Sequence, residues 1–262
     1  MTGRWEAVLP AGQRRELTDL TARLDLDLGD RHAKLSGFWT MLVLSAVIAV
    51  AGVLGDSTAT VIGAMIIAPL SVPIMGIALG IVRADGSQVL RSLGWVMAGV
   101  AAVVSLGALA AVPLPDTLGT VSNSQIAGRT SPGILDMVAA VATGIAGAVG
   151  LARRDVSDVL PGVAIAISLV PPLGVVGICL GTGQPILALG AFLLFLSNMI
   201  ALIMAGTLVF TAYGYAREAA LARGFSRKRA NTVVATVLVL VLIPLLSNTA
   251  ATLAVALWTQ RV

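Results

Sequence analysis

The chain has 262 residues, of which 57% are hydrophobic and only 11% are charged. Soluble domains carry about 25% charged residues, and a mean hydropathy of +0.96 is far above their range. The composition therefore excludes an ordinary soluble enzyme and indicates an integral membrane protein. The isoelectric point near 10 is typical of Lys and Arg on cytoplasmic loops, so we expect no nucleic-acid partner.

Residues 1–37 are predicted to form a cytoplasmic tail that contains an amphipathic helix. Leu17, Leu20, Leu24 and Leu28 recur at helical spacing among residues of mixed charge. Such a helix lies on the membrane surface or packs against a neighbouring subunit, and the alternative is a short solvated tail. We expect no cleavable signal peptide, because no cleavage site follows an early apolar run.

Seven apolar segments follow the tail, and a helix of about 20 apolar residues crosses a bilayer. The segments are residues 38–54, 58–82, 92–112, 133–151, 159–180, 186–213 and 232–258. An outer loop is predicted at 113–132 and a basic cytoplasmic loop at 214–231. From Val159 to Ala216 there is no Asp, Glu, Lys, Arg or His, so these 58 residues are long enough for two crossings.

The distribution of positive charge predicts the orientation. If the N-terminus is cytoplasmic and all seven segments cross, 15 of the 17 Lys and Arg residues are cytoplasmic. Only Arg129 and Arg261 are then outside. Cytoplasmic loops are enriched in Lys and Arg, so we predict seven crossings in a bacterial or archaeal plasma membrane, with the C-terminus outside.

Two segments of the chain resemble each other. A shift of 99 residues aligns five identical residues between 56–73 and 155–172, and a shift of 101 aligns Gly76–Gly80 with Gly177–Gly181. Each segment is the middle span of a three-span unit, 38–112 or 133–213. Because three is odd, the second unit enters from the opposite side. We therefore predict an all-α membrane protein with two inverted three-helix repeats, proline-broken middle helices and one further C-terminal helix, 232–262.

Prolines near the centres of the middle spans predict a functional site. Proline removes an amide hydrogen bond and kinks a helix, and interrupted segments at matching positions of two halves indicate a transport site. Ordinary kinks packed against neighbouring helices are the alternative. The predicted pathway residues are Pro69, Ser71, Pro73, Ser168, Pro171, Pro172 and Asn198.

Other polar positions have more than one interpretation. Asn198 lies in an apolar span, where it lines a path or forms one interhelical hydrogen bond. Gly76 and Gly80 form a GxxxG motif, which favours close helix packing. The polar positions predicted at membrane ends are Asp56, Arg129, Asp136 and Asp155. Because no acid lies deep in a span, the sequence does not support a carboxylate relay for protons or sodium.

Several motifs occur in an order that resembles a known family. They include Phe38–Ser45, Asp56-Ser57, Ile62–Pro69, Arg129-Thr130-x-Pro132, Pro161–Pro172 and Leu193–Asn198. From about residue 36 to 215 the chain resembles the bacterial and archaeal membrane family called domain of unknown function 389. The resemblance implies a prokaryotic protein with several membrane spans and implies no activity. Many members carry a larger soluble domain before or after the membrane part, and we expect none within this sequence.

Three classes of function are compared. A transporter or channel for an unidentified ion or small solute would use the facing broken helices. A non-transporting oligomeric scaffold, or a stress-response or sensor protein, is the alternative. An intramembrane enzyme is not expected, because the spans contain no His or Lys and Cys179 has no evident partner. We expect no cofactor and no metal, and we expect a homo-oligomer because the spans are rich in small residues.

Overall fold

The computed structural model describes residues 12–112, 123–130, 134–156 and 169–222. These residues form ten helices and no β-strand, which confirms the all-α class for the described part of the chain. The helices are α1 (Leu17–Leu24), α2 (Arg31–Leu54), α3 (Thr58–Ile67), α4 (Ser71–Val82), α5 (Gly86–Ala111), α6 (Ser124–Thr130), α7 (Ile134–Ala152), α8 (Val170–Gly181), α9 (Pro185–Ala212) and α10 (Tyr215–Ala222).

Four helices are long and apolar enough to cross a membrane, namely α2, α5, α7 and α9. The α3–α4 pair is a fifth if it counts as one span, and it bends by 48° at its break. The apolar helix α8 has only 12 residues. The predicted segment 232–258 and most of the first half of 159–180 lie outside the described residues. The count of seven spans therefore stays a prediction.

Two spanning helices begin earlier than their apolar segments. The α2 helix starts at Arg31, where the Asp30 carboxylate accepts a hydrogen bond from the Ala33 amide. The α5 helix starts at Gly86, where Asp85 accepts one from the Gln88 amide. Acidic N-caps of this kind satisfy free amides of a first helical turn. The predicted starts at 38 and 92 therefore mark where the apolar sequence begins, and the helices extend several residues beyond it.

The centre of the fold is formed by α4 and α8. All residues from Pro73 to Gly80 and from Val170 to Cys179 are buried. Glycines allow both helices to approach neighbouring backbone. A Cβ at Gly76 would lie 2.7 Å from the Leu24 carbonyl oxygen, and one at Gly80 would lie 3.1 Å from the Val89 amide. The predicted role of the GxxxG motif in close packing is therefore confirmed.

The leucine stripe of the N-terminal tail packs inside its own chain. Helix α1 contacts α4 and α10, and Leu20 and Leu24 are fully buried in the main core cluster, whereas Leu28 is exposed. The prediction that this stripe faces the membrane surface or another subunit is therefore wrong for its two central leucines. The reason is that α4 and α10 offer apolar surface to α1 within the same chain.

Candidate functional site

The first middle span is broken at Pro69. Helix α3 ends at Ile67 and α4 begins at Ser71. The Met65 carbonyl would accept a hydrogen bond from residue 69 in a continuous helix, and proline has no amide hydrogen to donate. One carbonyl at the end of α3 has an unexpected partner, because the buried Ser45 hydroxyl of α2 donates to the Ala64 carbonyl at 2.8 Å. Ser45 was not predicted as a site residue, although it lies in the first family motif.

The break lies halfway along the neighbouring span. A Cβ at Gly99 would lie 2.7 Å from the Leu70 side chain, so Leu70 packs directly against Gly99. Gly99 is at the middle of the 26-residue helix α5, which is about 39 Å long at 1.5 Å per residue. The break therefore lies close to the centre of a membrane-length helix.

Helix α8 begins at about the same depth. Its Gly177 packs against the α5 backbone at Val104, Gly107 and Ala108. From Gly177 back to Val170 is about 10 Å along the helix, which brings the start of α8 to the level of Gly99. The two central helices leave this level in opposite directions, because Gly80 of α4 meets the beginning of α5 and Gly181 of α8 meets Ala108 and Ala111 near its end.

Three of the predicted prolines lie in the first turn of a helix. Pro73 is the third residue of α4, and Pro171 and Pro172 are the second and third residues of α8. Amides of a first helical turn have no partner within the helix, so proline is tolerated there. The predicted break at Pro69–Pro73 is therefore present, with Pro73 just after it, whereas a break at Pro171–Pro172 stays a prediction because residues 157–168 lie outside the described residues. The three prolines stand just after the start of a helix, and Pro69 alone lies between two described helices.

The other predicted pathway residues differ in burial and in their position along the helices. Ser71 is the first residue of α4 and is half-buried, whereas Asn198 is buried near the middle of the 28-residue helix α9. Gly206 of α9 packs on Met75 and Ala78 of α4. Asn198 precedes Gly206 by eight residues, or about 12 Å along α9. This distance places Asn198 at the level of the Pro69 break. Ser168 lies outside the described residues.

Asp56 and Arg129 meet α6 at one end of the bundle. The Asp56 carboxylate accepts hydrogen bonds from the Ser124 hydroxyl at 2.6 Å and the Gln125 amide at 3.1 Å. These bonds, the Ser124 hydroxyl foremost, hold the pKa of Asp56 below its usual value. Arg129 donates to the Gln125 carbonyl and side-chain oxygens, and burial lowers the Arg129 pKa. Helix α6 thus ties the α2–α3 turn to the start of α9, where Thr130 contacts Gly190.

Asp136 and Asp155 lie on or beside α7. Asp136 is exposed in the first turn of α7. Asp155 follows the last turn and forms an ion pair with Arg153, with oxygen–nitrogen distances of 2.5 and 3.0 Å. The Arg153 guanidinium holds the pKa of Asp155 below its usual value. The aligned residues Asp56 and Asp155 therefore contact different elements, at the two ends of the spans.

The segment before α1 joins this second end of the bundle. Its backbone pairs with the end of α7, because the Arg15 amide donates to the Ala152 carbonyl and the Arg154 amide donates to the Gln13 carbonyl, both at 2.8 Å. The buried Tyr215 hydroxyl donates to the Arg15 carbonyl at 2.8 Å. Burial raises the pKa of Tyr215 to about 12, so this hydroxyl stays a donor at physiological pH.

Acidic residues after α1 attach it to the beginning of α5. The buried Asp25 carboxylate pairs with Arg91 at 2.9 Å. Asp27 accepts hydrogen bonds from the Trp95 indole at 3.0 Å and from Arg31 at 2.8 Å. The N-terminal segment therefore contacts both units at one end of the bundle, through Arg91 and Trp95 in 38–112 and through Ala152 in 133–213, and it also contacts Tyr215 at the start of α10. Nothing in the sequence pattern indicated these contacts.

The hydrogen bonds that Asp27 accepts from Trp95 and Arg31 should be lost only at acidic pH. Burial alone would raise the Asp27 pKa, but the hydrogen bonds from Trp95 and Arg31 and the nearby positive charges outweigh it and lower the pKa from 3.8. A lowered pKa adds stability that is present above pH 3.8 and is lost as the pH falls through the folded value. We expect the tryptophan emission of the wild type and the Asp27→Asn variant to differ between pH 5 and 7 and to converge only below pH 3.8, as the pH passes through the lowered pKa. Convergence already at pH 6 would contradict the assignment.

Comparison with known proteins identifies the family. Residues 65–204 match the family described as domain of unknown function (DUF389). The chain is 37% identical over 174 residues to the uncharacterized protein MJ0678 of Methanocaldococcus jannaschii, which covers 66% of this chain and 53% of that protein. The chain thus spans about half the length of the curated relative it matches. No solved structure matches it. Because the family match covers more than half of the sequence, the chain belongs to the DUF389 family.

Proposed function

We propose that this chain is a membrane transporter or channel for an ion or small solute, with its pathway beside the broken middle helices. The observation that carries the proposal is the Pro69 break at the level of Gly99, halfway along α5. Irregular backbone at membrane depth is stable only where protein or water covers it. In transporters, such breaks line the binding site.

The opposite directions of α4 and α8 support an inverted repeat. Both helices start at the level of Gly99, carry the aligned glycines 76/80 and 177/181, and run toward different ends of α5. A two-fold axis in the membrane plane would relate units 38–112 and 133–213 in this way. Transporters with such repeats move one unit against the other around a central site.

The remaining parts of the proposal rest on charge and composition. The excess of Lys and Arg on one side favours a cytoplasmic N-terminus, seven crossings and a plasma-membrane location. The spans contain further small residues besides those at the α5–α8 contact, and these favour a homo-oligomer.

The prolines provide the test of transport. Replacing Pro73 or Pro172 with alanine leaves a helix start that needs no new geometry, so we expect normal insertion and a thermal midpoint in detergent that is lowered slightly by the added buried amide hydrogen. We expect the flux of ions through purified protein in liposomes to change by about tenfold, because each substitution adds an unpaired amide hydrogen at the central level.

Pro185→Ala supplies the matched control for these variants. Pro185 is the first residue of α9, at a membrane–water end where an added amide hydrogen finds water. We expect wild-type flux from Pro185→Ala. The absence of flux of any tested solute through wild-type protein would contradict the proposal, and so would equal flux per folded molecule in all three proline variants.

A further inference from the structure

We propose that the broken centre binds a partly dehydrated monovalent cation, an inference that rests on the proposed function and names its substrate class. The end of α3 presents hydrogen-bond acceptors without donors. The Met65 carbonyl faces Pro69, which has no amide hydrogen. Within the described part of the chain, the Ile66 and Ile67 carbonyls accept no hydrogen bond from Leu70 or Ser71. Lipid offers no donor at this depth, so the oxygens need water, a cation or protein.

The level of the Pro69 break offers few hydrogen-bond donors. Helix N-termini attract anions through their free amides, and both α4 and α8 begin near this level. Pro73, Pro171 and Pro172 remove amide hydrogens from those first turns. On the α3–α4 side of the break, the carbonyls of Met65, Ile66 and Ile67 therefore outnumber the free amides of Leu70 and Ser71. This balance favours a cation over an anion.

The charge of the surroundings selects a monovalent cation. Residues 58–82 and 170–212 contain no Asp, Glu, Lys, Arg or His. Ca²⁺ and Mg²⁺ sites in proteins use carboxylates, and none is available in these segments. Carbonyl dipoles alone suit K⁺, Na⁺ or Rb⁺, as in filters built from backbone oxygens. The Asn198 side chain lies at the same level and adds a polar group to it.

The first experiment measures cation binding independently of transport. The thermal midpoint of purified protein is measured in chloride salts of K⁺, Na⁺ and Rb⁺ and compared with choline chloride and sodium gluconate at equal ionic strength. A ligand that binds only the folded state raises stability with concentration. We expect at least one small cation to raise the midpoint relative to choline, with no effect of exchanging chloride for gluconate.

Flux through liposomes then separates the two proposals. Cation stabilisation together with cation flux supports both, and stabilisation without flux supports the cation site and overturns transport. Chloride flux without cation stabilisation overturns the cation site and leaves transport. Neither flux nor stabilisation overturns both.

A single variant localises the site. Pro69→Ala supplies an amide hydrogen that can bond the Met65 carbonyl and remove an acceptor. We expect it to raise the half-saturating cation concentration by about tenfold, while Pro185→Ala leaves it unchanged. Unchanged cation dependence in Pro69→Ala that elutes as a single species would overturn the placement at the break. If Pro69→Ala does not fold, the response of the wild type to the salts still decides whether a cation binds.

Discussion

Replacement of Gly177 with alanine is expected to separate α8 from α5 and to destabilise the whole bundle. The added Cβ would collide with the Val104 carbonyl oxygen and lie 2.8 Å from both the Ala108 amide nitrogen and the Gly107 Cα. All three are backbone atoms of one rigid helix, so no side chain can move aside. Overpacking of a tight core costs about 1–3 kcal/mol, and we expect a loss of free energy of unfolding at or above the top of that range.

The measurement is the thermal midpoint and the folded yield of detergent-purified protein. Gly94→Ala is the matched control, because Gly94 is also helical, lies on α5 and has no atom within 4 Å of the position that an alanine Cβ would take. We expect Gly94→Ala to keep or slightly raise the midpoint, since alanine favours helix over glycine by about 1 kcal/mol. Equal midpoints for the two variants would show that α5 and α8 do not approach this closely in the folded protein.

The sequence predicts well those features that depend on apolar length and glycine spacing. Segment 58–82 contains the observed α3–α4 pair, because its apolar run is long and its Pro69 has no amide hydrogen to continue the helix. Gly76 and Gly80 lie against neighbouring backbone, as the GxxxG spacing indicated. These features are local, and each follows from a few adjacent residues.

Features that depend on distant partners could not be predicted in the same way. Nothing near Ser45 indicates that its hydroxyl reaches Ala64, and Tyr215 resembles any interfacial aromatic until its bond to the Arg15 carbonyl is known. The sequence also did not show that Pro171 and Pro172 lie in the first turn of a helix. Periodicity places them inside an apolar run but does not show that a helix begins at Val170. Helix ends are set by such caps and contacts, and hydropathy is insensitive to them.

Replacement of Gly76 with alanine should have the opposite outcome to its aligned partner Gly177, and should release α1 without unfolding the bundle. The added Cβ would lie 2.7 Å from the Leu24 carbonyl oxygen and 2.8 Å from the Ser92 hydroxyl. Ser92 can rotate its side chain, but the Leu24 carbonyl can retreat only if the end of α1 moves. Helix α1 has only eight residues and contacts mainly α4 and α10, so we expect its displacement to leave the α5–α8 contact intact.

Hydrogen exchange measured by mass spectrometry distinguishes local release from global unfolding. We expect amides of residues 17–28 in Gly76→Ala to exchange faster, and those of α5 and α8 to keep their wild-type rates, because local opening involves only the contacts of α1. Gly37→Ala in α2 is the control, since an alanine Cβ there would have no atom within 4 Å, and it should leave both regions unchanged. If Gly76→Ala instead lowers the thermal midpoint as far as Gly177→Ala, then α1 is part of the cooperative core. In that case the Asp25–Arg91 pair and the buried Leu20 and Leu24 hold the membrane bundle together, and the N-terminal segment is not a separable tail.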